Sequence, residues 1–215
     1  MSFQLLRNAS GKKKGVLIGL LLFTAIFLIA ALACLILFII DFLIPDRSDD
    51  DLFNIDFATP DYSYDITLDA DYMAEDRRVW VNDGVLSAPI DDEDYSDNQL
   101  YIFFQNYFTA LQTGDIAALK DCYSDEALST LKLPNRLSMQ RVYDIMLHYQ
   151  YSERKTDQSG IVYEELVYKF EYKIMKNDGV FRRDLQSDAV RPQYITIKMY
   201  FDKIYISNVI SNFRK

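Results

Sequence analysis

The stretch Leu166-Val167-Tyr168-Lys169-Phe170-Glu171-Tyr172-Lys173-Ile174 alternates without a break. Leu166, Tyr168, Phe170, Tyr172 and Ile174 fall on one side, and Val167, Lys169, Glu171 and Lys173 on the other. Successive side chains of a strand point to opposite faces, so this is a strand with one buried and one wet face. Such a strand needs cover on its apolar side, and the cover lies upstream. Leu100, Phe103, Phe104, Tyr107, Phe108 and Leu111 recur at three- and four-residue spacing, the pattern of an amphipathic helix. Ser96 or Asp97 can cap its start and Gly114 ends it. Asp115 opens a second helix reaching Cys122, and Ser124 or Asp125 opens a third with Leu128 and Leu131, halted by Pro134. A further helical piece is predicted over 138–147.

The remaining strands follow from the same period. Tyr149 and Tyr151 mark one before the quoted stretch, ended near 157–160, and Asn177, Asp178 and Gly179 turn the chain after it. A shorter strand is predicted near 180–183, then a last pair over 194–200 and 203–210 with Phe201 and Asp202 at the bend. Helices first and strands afterwards imply an α+β domain over 97–215, its helices packed on one face of an antiparallel sheet.

Toward the N-terminus the texture changes twice. Residues 16–40 contain no charge and consist mainly of Leu, Ile, Phe, Val and Ala. As a helix they would run about 37 Å against a hydrocarbon core of about 30 Å, long enough to cross a bilayer with some tilt. A signal-peptide core is far shorter. The charges set the orientation. Arg7, Lys12, Lys13 and Lys14 precede the span, and Asp41, Asp46, Asp49, Asp50 and Asp51 follow it around one arginine. Basic residues stay on the cytoplasmic side, so a head of residues 1–14 lies inside, a transmembrane helix occupies 15–44, and the rest is extracytoplasmic on a single-pass cell-membrane protein. One alternative stands: Ala30, Ala31, Leu32 and Ala33 before Cys34 resemble a lipobox, whose cysteine is lipidated.

The 215 residues carry a formal net charge of −9, unevenly shared. Residues 46–97 hold 17 acids against three bases, whereas 98–215 hold 16 bases against 14 acids. The acidity therefore belongs to a tether over 45–96, whose like charges keep it extended. Within it Val79, Trp80 and Val81, then Asn82, Asp83 and Gly84, then Val85 and Leu86 form a small hairpin near 79–86. Trp80 then either packs onto the domain or sits in a strand that docks a partner. The acids at 91–94 and 97 lack the glycine and closing glutamate of a calcium loop and read as a solvated run.

The run Tyr107-Phe108-Thr109-Ala110-Leu111-Gln112-Thr113-Gly114-Asp115, with Ala117-Ala118-Leu119 and Tyr123-Ser124 after it, resembles the opening of nuclear transport factor 2-like domains. The resemblance covers about 97–213. It implies a curved antiparallel sheet wrapped into a cone, worked in by some members as isomerases or dehydratases and used by others only for binding. Extracytoplasmic components of bacterial type IV secretion and conjugation machines share the plan of short head, single span and exported cone, which implies a place in an envelope or secretion assembly.

Chemistry is thinly represented. His148 is the single histidine and reads as structural, and Asp144 with Tyr143 or Tyr149 is the one pairing an isomerase could use. One histidine and the separated Cys34 and Cys122 make no zinc site, and Cys122 reads as a small buried hydrophobe. No phosphate loop or serine elbow is present, so no catalytic residue, metal or cofactor is assigned. Clustered basic charge is lacking, so nucleic acid is not expected; Arg182, Arg183 and Arg191 read as a solvated edge. The 16 tyrosines point to contact area instead. Trp80, Tyr149, Tyr168 and Tyr172 are the candidates for binding a partner or ligand. The expected function is a non-catalytic, membrane-anchored interaction domain. Its partners would be the bilayer, through 16–40, and proteins, a second copy of the chain included. A small-ligand or weakly enzymatic cone is the alternative.

Overall fold

The alternating stretch lies inside β4 (Val162–Met175), an inner strand of a curved, unclosed six-stranded sheet. The computed structural model describes residues 55–91 and 97–211, all within the second of the two units into which the chain divides, Ile55–Lys215. The other strands are β1 (Val79–Asn82), β2 (Ser87–Pro89), β3 (Arg141–Thr156), β5 (Gln193–Met199) and β6 (Ile204–Ile210), in the spatial order β2-β1-β3-β4-β5-β6. The head, the span and Cys34 lie outside the described residues. Among the described residues no helix is long and apolar enough to cross a membrane.

The front of the sheet carries the main core. Helix α2 (Gln99–Thr113) lays Phe104, Tyr107, Phe108 and Leu111 against Leu166, Tyr168, Phe170, Tyr172 and Ile174, all buried. The rings meet largely edge to face: Phe104 is 5.0 Å from Tyr168 and 5.6 Å from Phe170, and Phe108 is 5.8 Å from Tyr172. The helix begins one or two residues later than the sequence suggests. Asn98, not Ser96 or Asp97, is the cap, its side-chain oxygen accepting from the amides of Leu100 and Tyr101. Gly114 ends α2 in the left-handed conformation, and any Cβ there would stand 2.9 Å from the Leu137 carbonyl oxygen. Asp115 and Ser124 then cap α3 (Ile116–Asp121) and α4 (Asp125–Leu131). The Cys122 to Ser124 link also covers part of the β6 edge: Ser124 N donates to Ile206 O and Ile206 N to Cys122 O.

Three expectations are corrected. Residues 138–147 are not helical; from Arg141 they begin β3. A register irregularity between Tyr143 and Met146, with Asp144 at φ 50°, buries Val142, Tyr143, Ile145 and Leu147, and that mixture of one- and two-residue steps blurs the period of a strand. Residues 180–183 are not a strand. Their backbone is taken up by a side chain instead, since Asn177 Nδ2 donates to the carbonyls of Arg182 and Leu185. The sheet is not wholly antiparallel either, because β1 runs parallel to β3, with Trp80 opposite Met146.

Of the segment expected as a tether over 45–96, residues 55–91 are described, and they pack against the sheet. From residue 55 onward it forms a strap across the back of the sheet and then the hairpin of β1 and β2. Ile66 and Tyr72 bury with Tyr143 in a second small core, and the Tyr72 hydroxyl donates to Val142 O at 3.0 Å. Asp69 is buried between two cations, accepting from Arg141 Nε and Lys176 Nζ at 2.9 Å each. The acids misled because several of them hold turns. Asp61 and Asp65 each accept from an amide two residues on, and Asp69 from the Tyr72 amide that opens α1 (Ala70–Met73). In the hairpin Asp83 accepts from the amides of Val85 and Leu86, which moves β2 past the Val85 and Leu86 expected for it.

Candidate functional site

The structure does not gather the four sequence-derived candidates into one surface. Tyr168 and Tyr172 are buried in the front core. Burial pushes both hydroxyls above the usual phenol range. Tyr172 serves the fold, because its hydroxyl donates to Gln193 Oε1 at 2.8 Å and accepts from Arg182 Nη1 at 2.9 Å. Arg182, read as an edge cation, is in fact buried and bound twice to Asp184. Tyr149 is partly buried and packs edge-on against Tyr168 at 5.6 Å. Trp80 lies apart, on the side of β1 opposite the buried Val79 and Val81. It is half-covered, with Arg78 5.0 Å above its ring and its Nε1 donating to Asp76 Oδ2. The Arg78 fork holds that carboxyl far below the usual range.

The groups considered for catalysis are likewise engaged elsewhere. His148 Nε2 stands 2.8 Å from Glu171 Oε2, a carboxylate that Lys169 also approaches at 3.0 Å. Asp144 accepts from Lys173, while Tyr143 donates to Asp188. Cys122 is buried, its thiol pushed up to about 11 by burial, and its Sγ donates to Ala118 O. The front of the sheet, where a cone would offer its mouth, is filled by the rings of Phe104, Tyr107, Phe108 and Phe170.

The back of the sheet is organised in three zones along β4. The strap covers the Met175 end. The middle is a charge ladder of Lys173 with Asp144 and Lys169 with Glu171 and His148. At the Val162 end stands a ladder of tyrosines. Tyr163 stacks on Tyr200 with centroids 5.0 Å apart and rings 19° from parallel, and Tyr200 on Tyr205 at 5.9 Å and 23°. Lys198 lies 5.4 Å from the Tyr163 ring, and Lys203 lies 5.1 and 5.6 Å from Tyr200 and Tyr205. At this end of the sheet Ile161 and Val162, the latter on the face of β4 opposite Tyr163, are more than half exposed, and Phe201, at the tip of the β5–β6 turn, is 98 % exposed. The Tyr200 hydroxyl reaches Asp157 Oδ2 at 3.4 Å, which brings the β3–β4 and β5–β6 tips side by side. The chain joins the sheet at the other end of β4, where Ala58 N donates to Asn177 O.

Strand position alone does not point to this surface, because its tyrosines come from separate strands and turns and Phe201 reads as a bend residue. The signal for it is the run Tyr200-Phe201-Asp202-Lys203, which sets an aromatic pair at a strand-to-strand turn. Comparison with protein-family models, with curated proteins and with solved structures finds no match.

Proposed function

We propose that this chain is a single-pass membrane protein that displays a non-catalytic interaction domain outside the cytoplasm, as part of an envelope or secretion assembly. The observation that carries the reading is the exposed aromatic end of the sheet. Contiguous apolar surface on a folded domain commonly marks a contact site, and tyrosine supplies contact area with a polar tip. Exposed Phe201 and Ile161 stand with the stacked Tyr163, Tyr200 and Tyr205 at the end of β4 away from the strap. The uncharged stretch over 16–40 supports the anchor. The curved sheet covered by α2 on one face is compatible with a nuclear transport factor 2-like plan, and the rings filling that face favour binding on the outside over chemistry within.

The test is site-specific photo-crosslinking in native membranes with the full chain. A crosslinker at position 201 should capture a defined protein, and one at Val85, 96 % exposed on the β1–β2 turn, should not. Equal labelling from both positions would remove the case for the aromatic end.

A further inference from the structure

We propose that the open edge of β3 over 151–156 accepts an extended segment of another protein as an added antiparallel strand, with a carboxylate opposite Arg154 and an apolar side chain opposite Tyr151. The edge lies on the far side of β3 from the tyrosine ladder, and its test does not depend on the aromatic end. β1 pairs with β3 only from Ile145 to His148 and ends at Asn82. From Tyr151 to Thr156, β3 pairs with β4 alone among the described residues, residue for residue and without irregularity. Gln150 closes the junction, its Nε2 donating to the carbonyls of His148 and Tyr149 at 3.1 and 3.2 Å.

The phase of the ladder identifies the backbone atoms on offer. At the β3–β4 turn Asp157 N donates to Ile161 O at 2.9 Å. Bonded pairs of an antiparallel ladder recur every second residue, so Lys155, Glu153 and Tyr151 direct their N–H and C=O groups to β4. Ser152, Arg154 and Thr156 then direct one N–H and one C=O each away from the sheet. Six residues make about 20 Å of edge, the length of an ordinary strand. The outer strands are guarded: β2 is three residues long and ends at Pro89, and the Cys122 to Ser124 link bonds Ile206 of β6 on both sides. The stretch 151–156 has neither proline nor bulge.

Side chains argue against a second copy as the occupant. Two such edges related by a two-fold would pair antiparallel about a single residue. Centred on Glu153, Arg154 or Lys155, the pairing sets like charges directly opposite, which is destabilising. Centred on Tyr151 or Ser152 it runs into the irregularity beside Gln150, and centred on Thr156 it runs off the end of the strand. A different chain avoids all of these. Arg154 is exposed on the front of the sheet and, although across from Glu164, makes no ion pair among the described residues. A carboxylate opposite it on the added strand would supply one. On the back, Lys155 already pairs with Glu153 at 3.3 Å and with Glu165 at 2.5 Å, while Tyr151 is 53 % exposed. The partner segment therefore reads as a carboxylate followed three residues later by an apolar side chain.

The probe is the capped hexapeptide Thr-Glu-Glu-Lys-Thr-Val, written to run antiparallel from position 156 to position 151. It is added to the full chain in detergent micelles and followed by backbone hydrogen exchange. Near saturation the amides of Ser152, Arg154 and Thr156 should exchange about tenfold more slowly, with those of α2 unchanged. The same peptide N-methylated at its third and fifth residues keeps every side chain but loses the donors that face β3, and should protect nothing. Arg154→Glu, on an exposed side chain, should weaken binding of the parent peptide about tenfold, and lysine at the third peptide position should restore it. No protection by the parent peptide, equal protection by the methylated one, or protection that rises with the concentration of the chain alone, the mark of a second copy, overturns the proposal.

Discussion

Asp69 shows how far one side chain can commit a segment. It is buried, it caps α1, and it carries the ion pairs to Arg141 and Lys176. The hydrogen bond from Lys176 leads the effects that hold its pKa below the ordinary carboxylate value. A depressed folded pKa contributes stability that is complete above the unfolded value, near pH 4, and is lost as pH falls through the folded one. Acid titration followed by hydrogen exchange should therefore release residues 55–74 below about pH 4, ahead of the α2 core. Asp69→Asn should make the strap equally loose at neutral pH, with Arg141 left short of its partner charge. At Gly179 the constraint is steric. Its φ is +69° and a Cβ would stand 2.9 Å from the Phe57 ring, so Gly179→Ala should cost about 1–3 kcal/mol in chemical denaturation, through both strain and a displaced Phe57. Phe104, wholly buried among Tyr168 and Phe170, should cost about 3–5 kcal/mol when cut to Ala.

Element by element, legibility followed how purely local the signal was. Helix α2, its Gly114 stop, the Asp115 cap and the choice of Ser124 or Asp125 for α4 could be read because each is decided by residues within one turn. The core face of β4 was equally plain, since its alternation is unbroken. The start of β3 was not, because the irregularity at Asp144 destroys the period that identifies a strand. The β1–β2 hairpin was visible, yet its attachment was not: nothing in Val79-Trp80-Val81 specifies a parallel register with Ile145, Met146 and Leu147. That attachment fixes what Trp80 does. Trp80→Ala loses the Arg78 stack and the Asp76 bond on a half-covered site. It should lower stability in thermal denaturation modestly, by roughly 1–2 kcal/mol, whereas Val81→Ala, in the core, should cost more. A larger loss from Trp80→Ala than from Val81→Ala would show that the outer side of β1 carries the packing.

For the whole molecule, the back of the sheet is divided among the strap, the charge ladder and the aromatic end. Of the candidate binding residues, Tyr168 and Tyr172 lie in the core, Tyr149 is partly buried, and Trp80 is half-covered on β1. Tyr168 and Tyr172 stand on the strand with the clearest pattern and are core for that reason, whereas Tyr163, Tyr200 and Tyr205 come together from separate strands and turns. Phe201→Asp should leave stability within about 0.5 kcal/mol of the parent while abolishing capture by a crosslinker placed instead at Ile161. A matching fall in stability would instead make Phe201 part of the fold. The parallel pairing of β1 with β3 has one more consequence, in time. A strand made early must wait for a partner made much later, with helices α2 to α4 completed in between. Until β3 emerges, Val79 and Val81 have no sheet to join, and until β1 docks, β3 carries an open edge with Ile145 and Leu147 beside it. Pulse-labelled exchange during refolding should therefore find β1, the first strand made, protected after β4 and β5.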